Sequence, residues 1–334
     1  MKDLFHVQWH ITNDCNLRCQ HCYQEDFSRE KDLDWAHLKK VSENLLSTLE
    51  EWGFSACIHL TGGEPFLKPE LFTLLRHLND HPEVEESGII TNGFFLGEEE
   101  IQTLSSFSKL KKIKISLDGA TPETNDAIRG KGSFSKVIQS LCRIKDKNPF
   151  KIILMFTVMK RNFRELPDFI KFSQELRVDG LIIERFIPWG RGRERMEEAL
   201  SKRDWNEFVE KLCDLFSVEE KNLLLTFQAF QVVLGREGSE LLGAPCVLGK
   251  DGLCILPNGE VLPCRRFPIP IGNLLKDPLK KIWGESELLT SLRRKENLKG
   301  KCRECEWREC RGCRSLALAL TGDYLAEDPH CWYS

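Results

Sequence analysis

Short apolar runs recur along the first two-thirds of the chain. Between them lie longer segments in which apolar residues return every three or four positions. The first pattern is that of buried strands and the second that of amphipathic helices. It predicts strands at Phe5–Thr12, Ala56–Thr61, Ser87–Thr91, Ile113–Leu117, Ile152–Met159 and Leu181–Phe186. Helices are expected around Trp35–Trp52, Pro69–Leu78, Glu98–Phe107, Ser133–Lys145 and Phe163–Leu176, with a closing helix near Lys202–Val218. Six βα repeats imply an α/β fold, a partial (β/α)6 barrel with a parallel sheet, over residues 1–235. From about Gly243 the apolar runs shorten while Gly, Pro, Cys and Arg become frequent. Residues 243–334 therefore read as a small Cys-rich domain, too poor in apolar residues to build much of a core without metal.

The chain has 334 residues and a net charge of -3, which offers no general electrostatic attraction for nucleic acid or an anionic membrane. No apolar stretch approaches the roughly 18 residues of a membrane span, and Met1–His6 has no basic-then-apolar signal pattern. A soluble, cytoplasmic protein is expected. Fourteen cysteines change that bland picture. A disulfide scaffold would need a secretory signal and usually a short chain, so metal is the common remaining reason to keep so many thiols in a reducing compartment.

The thiols cluster. Cys15, Cys19 and Cys22 form C-x3-C-x2-C; Cys246, Cys254 and Cys264 form a second group; Cys302, Cys305, Cys310, Cys313 and Cys331 form a third. Cys57, Cys142 and Cys213 stand alone and read as buried small hydrophobes. In β/α folds the chemistry gathers where strands end at their C-terminal side. Strand 1 runs into Asn13–Cys22, strand 2 into Gly62-Gly63-Glu64-Pro65, strand 3 into Thr91-Asn92-Gly93, and strand 4 into Ser116-Leu117-Asp118-Gly119. All should face one mouth. Three cysteines on a short loop suit a [4Fe–4S] cluster with one open iron; a zinc site completed by His21 is the alternative.

C-x3-C-x2-C after the first strand, with Gly62-Gly63-Glu64-Pro65 after the second, resembles the radical S-adenosylmethionine superfamily. The resemblance implies a [4Fe–4S] cluster on Cys15, Cys19 and Cys22 whose open iron chelates S-adenosylmethionine, making these three the catalytic and metal residues. It assigns Gly62, Gly63, Glu64 and Pro65 to the methionine amino group. The chemistry agrees, since glycines permit close backbone approach and Glu64 offers a carboxylate to an ammonium. Asn92 and Ser116 become contacts to the ribose or methionine moiety, and Arg129 a contact to a carboxylate. Ser116-Leu117-Asp118-Gly119 and Asn125–Gly130 resemble the peptide-modifying branch; the other reading of Asp118 and Arg129 is a loop cap or salt bridge. His21 either packs on the adenine or is structural.

The later cysteines resemble the SPASM extension of that superfamily, with shorter central intervals, four and two residues, than this extension usually has. It implies two auxiliary [4Fe–4S] clusters. One would use Cys246, Cys254, Cys264 and Cys313, and the other Cys302, Cys305, Cys310 and Cys331; a zinc ribbon is the alternative for Cys302–Cys313. Lys299, Lys301, Arg303, Arg308, Arg311 and Arg314, interspersed with Glu304, Glu306 and Glu309, read as compensation for cluster charge rather than as a nucleic-acid patch.

The implied reaction begins when an external one-electron donor of flavodoxin or ferredoxin type reduces the first cluster. A 5′-deoxyadenosyl radical then abstracts hydrogen from a substrate. Oxidative modification of a ribosomally made peptide or a protein side chain is the first expectation. With Cys15 so near Met1, a separate leader-binding protein or a short direct-binding substrate would be required. Sulfatase-type maturation fits poorly, because Arg265 follows Cys264 where an acidic residue is usual. The second expectation is oxidation of a carboxylated small molecule such as a tetrapyrrole, with Arg191, Arg193 and Arg195 pairing with its carboxylates; otherwise that run is a solvated helix start. A non-catalytic iron–sulfur sensor or electron carrier is the third, against which Glu64 and its glycines argue.

Overall fold

The computed structural model describes residues 2–144, 148–235 and 238–333, less the side chains of residues 222 and 223. Met1, Lys145 and Ser334, which the expectations touch, lie outside them.

The barrel alternates as its pattern predicts: β1 (Asp3–Thr12), α1 (Trp35–Trp52), β2 (Phe54–Gly62), α2 (Leu71–Asp80), β3 (Val84–Thr91), α3 (Glu98–Leu104) and β4 (Leu110–Ser116). Then come α4 (Pro122–Arg129), α5 (Ser133–Arg143), β5 (Lys151–Val158), α6 (Leu166–Glu175), β6 (Gly180–Arg185) and α7 (Lys202–Phe216). β1 to β6 lie side by side in chain order, each pair parallel. α1 shows why the helices sit where they do. Asp34 caps its first turn by accepting the His37 amide at 3.0 Å, and Gly53 ends it in the left-handed conformation. Its face of Leu38, Val41, Leu45, Leu46 and Leu49 is fully buried against the sheet, each residue contributing roughly 1.5–3 kcal/mol.

The sheet does not stop at six strands. β7 (Phe227–Leu234) and β8 (Ser239–Pro245) add antiparallel beyond β6. On the other edge β9 (Gly252–Ile255) pairs parallel with β1, followed by β10 (Glu260–Leu262) and β11 (Gly272–Asn273), both antiparallel. The order is β11-β10-β9-β1-β2-β3-β4-β5-β6-β7-β8, open at both edges. The C-terminal part thus shares the barrel's core instead of lacking one: Leu253, Ile255, Val261, Leu274 and Ile282 belong to the main apolar cluster. Helix α8 (Leu279–Glu285) is tied to α1 through Asn44, whose Oδ1 accepts the Leu279 amide at 2.9 Å while its Nδ2 donates to the Leu274 and Asp277 carbonyls just before the helix. Helices α9 (Glu287–Arg293), α10 (Lys301–Glu304) and α11 (Arg314–Thr321) complete the chain.

The three isolated cysteines differ. Cys57 is buried and Cys213 half-buried, but Cys142 is exposed, correcting its reading as a core residue. The buried face of α5 runs through Val137, Ser140 and Leu141, and the next position turns to solvent. Among the described residues no helix is long and apolar enough to cross a membrane.

Candidate active site

The loop after β1 carries three thiols and is held from both sides. The Asn13 amide donates to Asp32 at 3.0 Å and the Asp14 amide to Thr12 Oγ1 at 3.0 Å. Gly62 and Gly63 press against it: a Cβ there would stand 2.2 Å from the Thr12 carbonyl oxygen or 2.0 Å from that of Asp14. Only glycine allows this approach. On the far side the Gln20 amide donates to Ile128 at the end of α4, at 2.8 Å, and the Gly192 amide to the Cys22 carbonyl at 2.9 Å.

Cys15, Cys19 and Cys22 line one pocket at the C-terminal ends of the strands, together with Gly62, Gly63, Asn92, Ser116 and Arg129. Asn92 Nδ2 donates to Asn16 at 2.8 Å and lies 3.9 Å from Cys15 Sγ. Glu64, Pro65 and Asp118 stand one layer behind the wall, buried. Glu64 accepts from Thr91 Oγ1 at 2.7 Å and from the Asn92 amide at 2.8 Å. Burial nevertheless pushes its carboxyl up to about 7. Asp118 pairs with Arg129 Nε at 2.7 Å and with His21 Nε2 at 3.1 Å. Burial would raise its carboxyl, but Arg129 and then His21 hold it at about 2. Arg129 and His21, both on the pocket wall, are thus engaged by Asp118, Arg129 in an ion pair.

Sulfurs around one tetrahedral zinc stand roughly 3.8 Å apart, given Zn–S near 2.3 Å. Among the described residues the sole trio of His, Cys or carboxylate groups with ligand atoms all within 4.8 Å is Cys57, His59 and Glu86. There the Cys57 thiol already donates to Glu86 at 2.9 Å, and Lys112 Nζ sits 3.3 Å from the same oxygen. Cys15, Cys19 and Cys22 do not form such a trio. Burial raises the thiols of Cys15 to about 11 and Cys22 to about 12, so binding must supply the charge that makes them thiolates.

The remaining thiols fall into two groups of neighbours. Cys302, Cys305, Cys310 and Cys331 line a cavity of about 410 Å³. Burial lifts Cys246 to about 12, with Cys264 and Cys313 nearby adding to the rise. Cys254, wholly buried on β9, is raised well above the ordinary thiol range by burial and by Cys264.

Several lining residues escape sequence reasoning: Tyr23, Phe27, Met155, Thr157, Glu184, Arg185, Arg265 and Arg266. The adjacent charges Glu184-Arg185 inside an otherwise apolar strand run are the signal that could have found two of them. Arg191, Arg193 and Arg195 do not line the pocket. Their segment is a 3₁₀ turn, Gly190–Glu198, folded over the cysteine loop; Arg193 faces Glu25 at 3.7 Å and Arg195 donates to Gln20 at 3.1 Å.

Comparisons with known proteins agree with this geometry. The radical SAM superfamily matches residues 9–173, and the iron-sulfur cluster-binding domain SPASM matches residues 246–306. The AdoMet-dependent heme synthase of Methanosarcina barkeri is 30% identical over 350 residues, covering 98% of this chain and 96% of that protein. The mycofactocin maturase MftC of Mycobacterium tuberculosis is 28% identical, covering 97% and 82%. A solved structure of anSMEcpe with bound AdoMet superposes with a TM-score of 0.73 at 20% identity, covering 98% of this chain and 94% of that one, which shows the shared fold. By motif, pocket and similarity over nearly its whole length, the chain belongs to the radical S-adenosylmethionine superfamily of enzymes and carries a SPASM iron–sulfur domain.

Proposed function

We propose that this enzyme oxidises a carboxylate-bearing side chain of a small molecule of the tetrapyrrole class, using S-adenosylmethionine at a [4Fe–4S] cluster on Cys15, Cys19 and Cys22. The observation that carries the substrate reading is the basic wall of the pocket. Arg265 and Arg266 line it together with the three thiols. Arg265 meets Glu184, whereas Arg266, donating to the Arg185 carbonyl at 2.8 Å, has no carboxylate partner among the described residues, and its buried Nε is unpaired. A guanidinium with free N–H groups in a buried wall is a receptor for a carboxylate. The similarity to a heme synthase over nearly the full length of both chains supports the same reading.

When bound, the cluster and S-adenosylmethionine supply a 5′-deoxyadenosyl radical able to take a hydrogen atom from the substrate. The chain's own part is to hold the participants and keep water out. Glu64, behind the pocket wall, holds Asn92 through its backbone amide and would add negative charge beside the methionine ammonium. Gly62 and Gly63 let the backbone of β2 lie against the cysteine loop. Arg129, occupied by Asp118, steadies that loop rather than offering itself to a carboxylate. The eight other clustered thiols would hold two auxiliary clusters, which would supply one-electron redox chemistry, and a flavodoxin- or ferredoxin-type protein would be the donor. So many thiols suit the cytoplasm.

A second reading, maturation of a peptide, is favoured by the 28% identity with the mycofactocin maturase MftC. Membership in an enzyme superfamily sets aside the electron-carrier alternative. The deciding experiment incubates the reconstituted enzyme, S-adenosylmethionine and dithionite with an iron porphyrin carrying propionate side chains, or with a panel of peptides. The porphyrin is expected to lose mass, and Arg266→Gln to raise its KM about tenfold or more, the value of a charge-assisted hydrogen bond. A modified peptide and an untouched porphyrin would overturn this reading in favour of the second.

A further inference from the structure

Asp328 reaches three parts of the molecule at once. Its Oδ2 accepts from Arg185 Nη1 at 3.0 Å and from the Cys313 amide at 2.7 Å. Its own amide donates to Cys302 Sγ at 3.5 Å, and its carbonyl accepts the Cys331 amide at 3.0 Å. One residue therefore touches members of both thiol groups, Cys313 in one and Cys302 and Cys331 in the other. The pair is sealed from water, with Asp328 5% and Arg185 3% exposed. Gly312 makes the room, since a Cβ there would lie 2.6 Å from Asp328 Cβ. Arg185 borders both the cysteine-loop pocket and the cavity of Cys302, Cys305, Cys310 and Cys331, its guanidinium 4.5 Å over the Trp205 ring.

A fixed charge beside a redox centre acts unequally on its two oxidation states. A negative charge opposes an added electron and a positive charge favours it, most strongly where water cannot screen them. We propose that the Arg185–Asp328 pair sets the reduction potentials of both auxiliary clusters, Asp328 lowering them and Arg185 raising them. This rests on reading the eight thiols as the ligands of two clusters.

The test is a redox titration followed by electron paramagnetic resonance on the reconstituted full chain, with iron content measured in parallel. Wild type, Asp328→Asn and Arg185→Gln should each hold about twelve irons, three clusters' worth. Asp328→Asn should make the auxiliary clusters about tenfold easier to reduce, which is 59 mV for one electron, and leave the cluster on Cys15, Cys19 and Cys22 unmoved. Arg185→Gln should make the auxiliary clusters harder to reduce by a similar factor. Unchanged potentials, or both variants shifting the same way, would overturn the proposal. Iron for one cluster in wild type would overturn the two-cluster reading and the proposal with it. Should Asp328→Asn fail to hold iron, Arg185→Gln decides, because it leaves the amide contacts of Asp328 with Cys302 and Cys313 in place.

Discussion

The carboxylate of Glu64 lies 2.8 Å from the backbone amide of Asn92, wholly buried, with hydrogen-bond donors around it but no cation among the described residues. A carboxylate has about four acceptor positions, and Thr91, Asn92 and Phe66 occupy three. Among the described residues none donates to the fourth. In the proposed function that carboxylate places negative charge beside the methionine ammonium.

Affinity for S-adenosylmethionine should therefore follow the ionisation of Glu64. Burial raises its carboxyl to about 7, so the free enzyme carries the needed charge above that pH and loses it below. Binding measured by calorimetry between pH 6 and 8 should weaken as pH falls, toward tenfold per unit below the transition. Glu64→Gln should bind more weakly throughout and show no such slope. An unchanged slope in the variant would assign the dependence to another group.

Asp118 carries a structural load of a different kind. Replacing it with Asn leaves Arg129 buried without its counter-charge, which costs about 3–5 kcal/mol. Urea unfolding of Asp118→Asn at pH 7 should show a loss of that size. In wild type the stabilisation is fully present above the ordinary carboxylate range and disappears as pH falls through about 2. A variant as stable as wild type would mean that water or another group compensates Arg129.

Gly63→Ala tests how the cysteine loop is seated. The added methyl would meet the Asp14 carbonyl at 2.0 Å, and both are backbone positions that cannot swing aside. The variant should fold, since the sheet core lies elsewhere, but lose about one cluster's iron, four atoms per chain. Full iron loading would show that the loop has more freedom than its contacts imply.

The strands and the cysteine loop are legible in the sequence because both are local: six apolar runs and one C-x3-C-x2-C motif. β8 escapes because its exposed positions, Glu240, Leu242 and Pro245, dilute the apolar signal, and β7 because Gln228 and Gln231 interrupt its apolar run. The basic wall escapes for another reason. Arg265 meets Glu184 across 81 residues, at a junction made only when β9 to β11 dock beside β1. No local pattern encodes that meeting. Arg191, Arg193 and Arg195 look equally suited to a substrate, yet Gly190 and Gly192 fold their segment over the cysteine loop and turn it away from the pocket.

Cys254 occupies the middle of β9, paired with β1 and β10, where an ordinary buried apolar residue would also fit. If it is a ligand, Cys254→Ala should lower iron content by about one cluster with little change in secondary structure by circular dichroism. Iron equal to wild type would make it a packing residue.

Formation of 5′-deoxyadenosine by the anaerobically reconstituted enzyme, with dithionite and S-adenosylmethionine, joins the radical site to its substrate in one readout. It should be strongly stimulated by an iron porphyrin bearing propionates, absent in Cys19→Ala, and accompanied by oxidation of the porphyrin side chain. Stimulation by a peptide, with the porphyrin inert, would contradict the assignment of the basic wall to a small carboxylated substrate. No 5′-deoxyadenosine with either, at full iron loading, would contradict the assignment of the pocket itself.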